Sequence, residues 1–227
     1  MPLDIPRIQA LCFDVDGTLS DTDDLFAQQI ARWLQPLRFL FPGGNPLPFS
    51  RQIVIGIESP GNFLFGIPDR LGLDDELFAL GDLLARLGLG KQPRPFLLIP
   101  SVREMLSLLA ARYPLAIVSV RGERSTRSFL SQFELEPFFQ CIVTGQTCQH
   151  TKPYPDPILY AARQMGVGPQ ACLMIGDTTV DIRAGKAAGA QTVGVLCGFG
   201  EEAELRRAGA DLILPTTAQV HEVLLAL

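Results

Sequence analysis

An α/β fold is predicted: a doubly wound, mainly parallel sheet core with a smaller helical domain inserted after its first strand. Three observations predict it. From Ser101 onward, short apolar runs alternate with stretches of helical spacing, the pattern of parallel strands joined by crossover helices. Near the N-terminus, Ala10–Phe13 is an apolar run that stops at Asp14-Val15-Asp16-Gly17-Thr18, and such a run reads as a strand buried on both faces. Between these two regions, residues 21–96 break the alternation, so the first strand joins a sheet whose other members come much later. The expected domains are a core of residues 1–20 and 97–227 and a helical cap of residues 21–96.

In chain order, Asp21-Thr22-Asp23-Asp24 supplies N-cap candidates and negative charge for a helix start. Phe26, Ile30, Trp33, Leu34 and Leu37 follow at helical spacing, and the Pro- and Gly-rich stretch from Pro42 to Pro48 ends that helix. Residues 51–58 read equally as strand or helix. A helix is expected over residues 75–87, with Leu77, Leu80, Leu84 and Leu87 on one stripe, and residues 88–95 read as the linker back to the core. Ser101 and Glu104 have capping-box spacing for a helix to about Arg112. Strands are then expected at 115–118, 141–143, 171–175, 192–195 and 212–214, and helices at 123–133, 156–165, 179–188 and 201–208. Gly166 and Gly189 stand just past two of the helix ends, and Thr216 with Gln219 has capping-box spacing for a last helix.

Composition narrows the class. The 227 residues are 47% hydrophobic and 19% charged, in the globular range. Net charge is −5 with only three lysines, so no polyanion-binding face is expected and nucleic acid is not an expected partner. No apolar run approaches the roughly 20 residues that span a bilayer, and the acidic N-terminal stretch does not resemble a signal peptide. Five scattered cysteines without a Cys-x-x-Cys pair fit a reducing, cytoplasmic setting. Oligomeric state is not readable.

The chemistry lies at the strand ends. In a strand, residues two apart share a side, so Asp14 and Asp16 can converge, and Gly17 permits a tight turn after them. Later strands end at Ser119 and at Asp177, with Asp181 four residues on at a helix start, while Lys152 stands in a loop beside Pro153. In a parallel sheet these ends share one edge, where open α/β sheets bind ligands. Taken singly, each has an ordinary reading: a turn for Asp16 and Ser119, a helix cap for Asp181, a solvated lysine. Taken together they form a phosphoryl site. Converging carboxylates need a cation between them, and an all-oxygen donor set suits Mg²⁺. A lysine and a hydroxyl can hold the phosphate oxygens.

These residues resemble the haloacid dehalogenase superfamily of phosphohydrolases, in the subgroup with a helical cap after the first strand. The match rests on Asp14-Val15-Asp16-Gly17-Thr18, Ser119, Lys152-Pro153 and Gly176-Asp177-x-x-x-Asp181. The resemblance implies Asp14 as a nucleophile forming an aspartyl-phosphate and Asp16 as acid and then base. It implies Mg²⁺ on Asp14, the Asp16 carbonyl and Asp177, with Asp181 behind that shell. Gly17, Thr18, Ser119, Val120, Arg121 and Lys152 would contact phosphate or substrate. Val120 stands where relatives often carry Asn or Ser, leaving only its backbone N–H, and Arg121 follows as a candidate for a phosphate or substrate carboxylate. The expected partner is a small phosphorylated metabolite.

Rival functions are separable. Asp16 speaks against haloacid dehalogenation, which in this superfamily accompanies loss of the second acid. The absence of lysine between residues 20 and 90 speaks against Schiff-base phosphonate cleavage. A sugar phosphomutase shares every core motif and stays as an alternative, as does a catalytically silent metal- and phosphate-binding module. Arg32, Arg38, Arg51 and Arg70 are the cap's candidate contacts for an acidic substrate, and His150 is a candidate neighbour of Lys152, with a solvated histidine as the plainer reading.

Overall fold

Six apolar segments pair into one all-parallel sheet in the computed structural model, which describes residues 3–21, 31, 33–46, 49–50 and 96–226. The strands are β1 (Ala10–Phe13), β2 (Leu115–Val118), β3 (Cys141–Val143), β4 (Cys172–Gly176), β5 (Gln191–Val195) and β6 (Leu212–Leu214). The sheet order is β3-β2-β1-β4-β5-β6. The chain therefore winds outward from β1 to β3, then crosses back to β4 on the other side of β1 and winds outward again. The doubly wound expectation is met, and the point where the winding reverses lies between β1 and β4, where such sheets place their ligand crevice.

Burial explains why the central strands lack polar alternation. Every residue of β1, β2, β4 and β5 is buried, while the edge strands β3 and β6 are partly exposed. Register sets the two faces. Cys12 sits level with Ala116 and Met174, and these face a core filled by Ile158, Ala161, Ala162, Ala184 and Ala188. Those residues come from α3 (Asp156–Gln164) and α4 (Thr179–Ala188), which pack on β1–β3 and on β4 and β5 respectively. Leu11, Phe13, Leu115, Ile117, Leu173 and Ile175 have the opposite parity and are equally buried. α1 (Val102–Ala110) brings Val102, Met105, Leu106 and Leu109 at helical spacing, and packs against α6 (Val220–Leu225). α2 (Glu123–Gln132) buries Phe129 and Leu130, and α5 (Glu202–Ala208) packs against α4 and β6.

Two helix starts differ from the sequence reading. Ser101 has φ 62°, outside the extended region an N-cap needs, and its side chain makes no cap hydrogen bond, so the Ser101–Glu104 box is not formed. Thr216 also makes no side-chain cap bond. The last segment instead opens with a 3₁₀ turn at Thr217–Gln219, and the Thr217 hydroxyl donates to the Thr18 carbonyl at 2.6 Å. Tertiary contact takes over from local capping there.

The chain divides into two compact units, Met1–Asp21 with Leu98–Leu227, and Thr22–Leu97. Within the second, 3₁₀ turns run over Gln35–Leu40 and Pro42–Gly44, and the Phe41 and Phe49 rings lie 5.3 Å apart. The elements expected over residues 51–58, 75–87 and 88–95 fall outside the described residues. Among the described residues, no helix is long and apolar enough to cross a membrane.

Candidate active site

β1 delivers Asp14 to the sheet edge, and the Asp14 N–H donates to the Ile175 carbonyl at 3.0 Å, extending the β1–β4 pairing by one residue. The chain then turns back on itself. The Val15 carbonyl accepts from the N–H groups of Thr18, Leu19 and Ser20, and the Gly17 N–H donates to the Ser20 carbonyl. Gly17 has φ +69°, and a Cβ there would stand 2.2 Å from Asp177 Oδ2. Both demands exclude a side chain at this position.

Asp177, at the end of β4, is fully buried and held from three sides. Its Oδ1 accepts from the Thr18 hydroxyl at 3.1 Å, and its Oδ2 accepts from the Phe199 N–H at 2.9 Å. The backbone of Gly198 closes the third side, where a Cβ would come within 2.3 Å of Oδ2. The loop after β5 is thus part of the site. Sequence reading missed it; the Gly198-Phe199-Gly200 triplet is the available signal, since only a bare backbone can approach a carboxylate this closely.

Lys152 reaches the same point from the loop between β3 and α3. Its ammonium lies 2.8 Å from Asp14 Oδ1 and 2.5 Å from Asp181 Oδ1, with 2% of the side chain exposed. Asp181 Oδ2 accepts from the N–H and hydroxyl of Thr178, at 3.0 and 2.7 Å, so Asp181 both caps α4 and anchors Lys152. One carboxylate thus serves a helix start and a buried ammonium at once.

Electrostatics follow from this crowding. Oxygens of Asp14, Asp177 and Asp181 lie within 4.8 Å of one another, all three residues being buried. Burial pushes the Asp14 carboxyl up to about 7; Lys152 opposes this, and Asp181 and Asp16 reinforce it. Burial works against the Lys152 ammonium, but Asp14 and Asp181 outweigh it and hold its pKa above the usual lysine value. Three buried acids around one ammonium leave negative charge in excess. That donor set, oxygen only, fits a hard divalent cation.

Ser119 and Arg121 follow β2, the other neighbour of β1. Ser119 is buried; its N–H donates to the Val143 carbonyl and its Oγ accepts from the Arg121 N–H at 3.2 Å. Continuing the β1 register puts Ser119 and Asp177 level with Val15, on either side of it. Val120 is exposed. The Arg121 guanidinium grips Asp16 with both arms of its fork, Nε donating to Oδ2 at 2.9 Å and Nη2 to Oδ1.

Asp14, Lys152 and Asp181 are therefore brought together by direct contact, with the Asp177–Thr18 pair close by, its carboxylate within 4.8 Å of theirs, and Arg121, Ser119 and Asp16 form a second linked group. The Gly17 and Thr18 N–H groups are committed to the turn. His150 is half-exposed, pairs with Asp156 at 3.4 Å and stacks on Tyr154, as a solvated histidine does. Arg38 is exposed, and Arg32, Arg51 and Arg70 lie outside the described residues.

Residues 89–195 match the family described as haloacid dehalogenase-like hydrolase. A phosphoglycolate phosphatase of Neisseria meningitidis is 31% identical, the match covering 96% of this chain and 94% of the relative. A pyrophosphatase of Bacillus pumilus, PpaX, is also 31% identical, over 86% of this chain and 87% of its own. The chain belongs to the haloacid dehalogenase-like hydrolases. The resemblance read from the motifs is borne out, as is the reading of the chain as an enzyme, a phosphatase of that family. Among solved structures, a hydrolase of this family from Deinococcus radiodurans, with bound phosphate and sodium, aligns at TM-score 0.67 and 26% identity, covering 97% of this chain and 96% of its own. A Pseudomonas syringae hydrolase aligns at TM-score 0.66 and 22% identity, over 96% of this chain and 99% of its own, and shares the fold.

Proposed function

We propose that this chain is a Mg²⁺-dependent phosphatase that hydrolyses a small phosphomonoester through an aspartyl-phosphate at Asp14. The observation that carries this reading is Asp14 itself: a buried carboxylate at the switch point of the sheet, 2.8 Å from the Lys152 ammonium and within 4.8 Å of Asp177 and Asp181 oxygens. Family membership supports the reaction class, and the N. meningitidis and B. pumilus relatives are described as acting on phosphoglycolate and as a pyrophosphatase.

Asp14, Asp177 and the backbone carbonyl of Asp16 are the groups that would hold Mg²⁺, whose charge, when bound, offsets both the carboxylates and the phosphate oxygens. Asp181 stands behind them, its oxygens already engaged by Lys152 and Thr178. Asp14 attacks phosphorus in line with the leaving oxygen. Lys152 keeps Asp14 directed and takes up charge on the phosphate, with Ser119 and the Val120 N–H on the other side. Asp16 protonates the leaving oxygen, then removes a proton from the water that cleaves the aspartyl-phosphate. Gly17 and Thr18 serve this site through the turn and through Asp177. The unit Thr22–Leu97 is the part assigned to substrate selection, and the five free cysteines support work in a reducing cytoplasm.

The test is an assay of the purified chain on p-nitrophenyl phosphate and on a hexose 1-phosphate, with Mg²⁺ and with EDTA. Free phosphate released only with Mg²⁺ is the expected result. Accumulation of hexose 6-phosphate would assign a phosphomutase instead, and a folded protein inactive on both would assign a silent binding module.

A further inference from the structure

Arg121 already binds a carboxylate. Its fork holds both Asp16 oxygens in the bidentate geometry that guanidinium and carboxylate prefer. Its backbone is fixed beside the proposed phosphate groups, the N–H donating to Ser119 Oγ and the carbonyl accepting from Gly145. Asp16 is the residue assigned to the leaving oxygen, so its partner stands on the leaving-group side of the phosphorus. The two carboxylate oxygens that would serve the leaving group are the ones the fork covers.

The Arg121–Asp16 pair also differs in kind from the Lys152 pair. Its side chains are 17% and 29% exposed, against 2% and 9% for Lys152 and Asp14. Water screens the first pair and can solvate either partner as it opens, whereas opening the second would strand buried charge. Of the two cations, Arg121 is the one whose carboxylate can be exchanged at lower cost.

We propose that Arg121 determines specificity by trading Asp16 for a carboxylate on the leaving half of the substrate. The substrate class is then a small phosphate ester whose alcohol carries a carboxylate a bond or two from the ester oxygen. Binding such a substrate turns the fork onto the substrate carboxylate and uncovers Asp16 at the oxygen it serves. A leaving group without an anion leaves the fork on Asp16. This rests on the phosphatase reading and on the role given there to Asp16.

The experiment compares kcat/KM for 2-phosphoglycolate and ethyl phosphate, which differ by the carboxylate, in the wild type, Arg121→Ala and Arg121→Lys. The wild type is expected to prefer 2-phosphoglycolate. In Arg121→Ala that preference is expected to fall about tenfold to a hundredfold, the range for losing a charge-assisted bidentate contact. Arg121→Lys, which keeps the charge and loses the fork, should fall between. An unchanged ratio in Arg121→Ala, or a wild type that treats both esters alike, overturns the inference while phosphatase activity on either ester upholds the reading it rests on. No turnover of any phosphate ester by the wild type overturns both.

Discussion

Asp14→Asn is expected to lower Mg²⁺-dependent phosphatase kcat by roughly 10⁴-fold or more, because the amide cannot form the phosphoenzyme. The change is isosteric, so the fold has no steric reason to respond. Lys152 keeps Asp181 at 2.5 Å. One of three mutually close buried acids is removed, so the metal-free variant should melt no lower than the wild type at pH 7.5. Steady-state kinetics and thermal melts check the two halves together. Loss of activity with a lowered melting point would mean that Asp14 acts through the fold, and retained activity would mean that the nucleophile lies elsewhere.

Lys152→Met should have the largest effect on stability. Methionine keeps the length and volume of the side chain but leaves Asp14, Asp177 and Asp181 without the ammonium that touches two of them. Stranding buried charge in this way costs about 3–5 kcal/mol. The loss should depend on pH in a definite direction. The folded-state pKa of Asp14, about 7, lies above the ordinary carboxylate value of 3.8, so the folded state binds the proton more tightly than the unfolded one. Its contribution to stability is therefore full below about pH 4 and is lost as pH rises through about 7; Lys152 holds that folded-state pKa down, so removing it carries the loss on to higher pH. Urea denaturation of the metal-free proteins at pH 5 and pH 8 should show the larger deficit at pH 8, and Mg²⁺ should recover part of it there. Equal deficits at the two pH values would mean that Lys152 does not balance these acids.

Much of this site was legible because it is built from strand ends. An apolar run that stops at an acid marks both a buried strand and the edge it reaches, and parallel pairing brings Asp14 and Asp177 together without further information. The β1–β4 register does the rest. What the sequence hid is what each side chain leans on. The Phe199 N–H that steadies Asp177 is a backbone group and has no letter of its own. Arg121 and Asp16 are 105 residues apart, and only the folded sheet brings the fork onto that carboxylate. Local rules failed at two helix starts, Ser101 and Thr216. Thr216 is a sound N-cap by sequence, yet it is the next hydroxyl, Thr217, that is used, to bind the turn after β1. At Asp181, by contrast, local and distant demands coincide, one oxygen capping α4 and the other holding Lys152.

The central claim is covalent: phosphate passes through Asp14. Acid-quenching the enzyme during turnover of a labelled phosphate ester, then digesting it and locating the label by mass spectrometry, tests that directly. The predicted result is an acyl-phosphate on Asp14 that disappears in Asp14→Asn. A label on another residue, or sustained turnover with no labelled enzyme at any quench time, would contradict it.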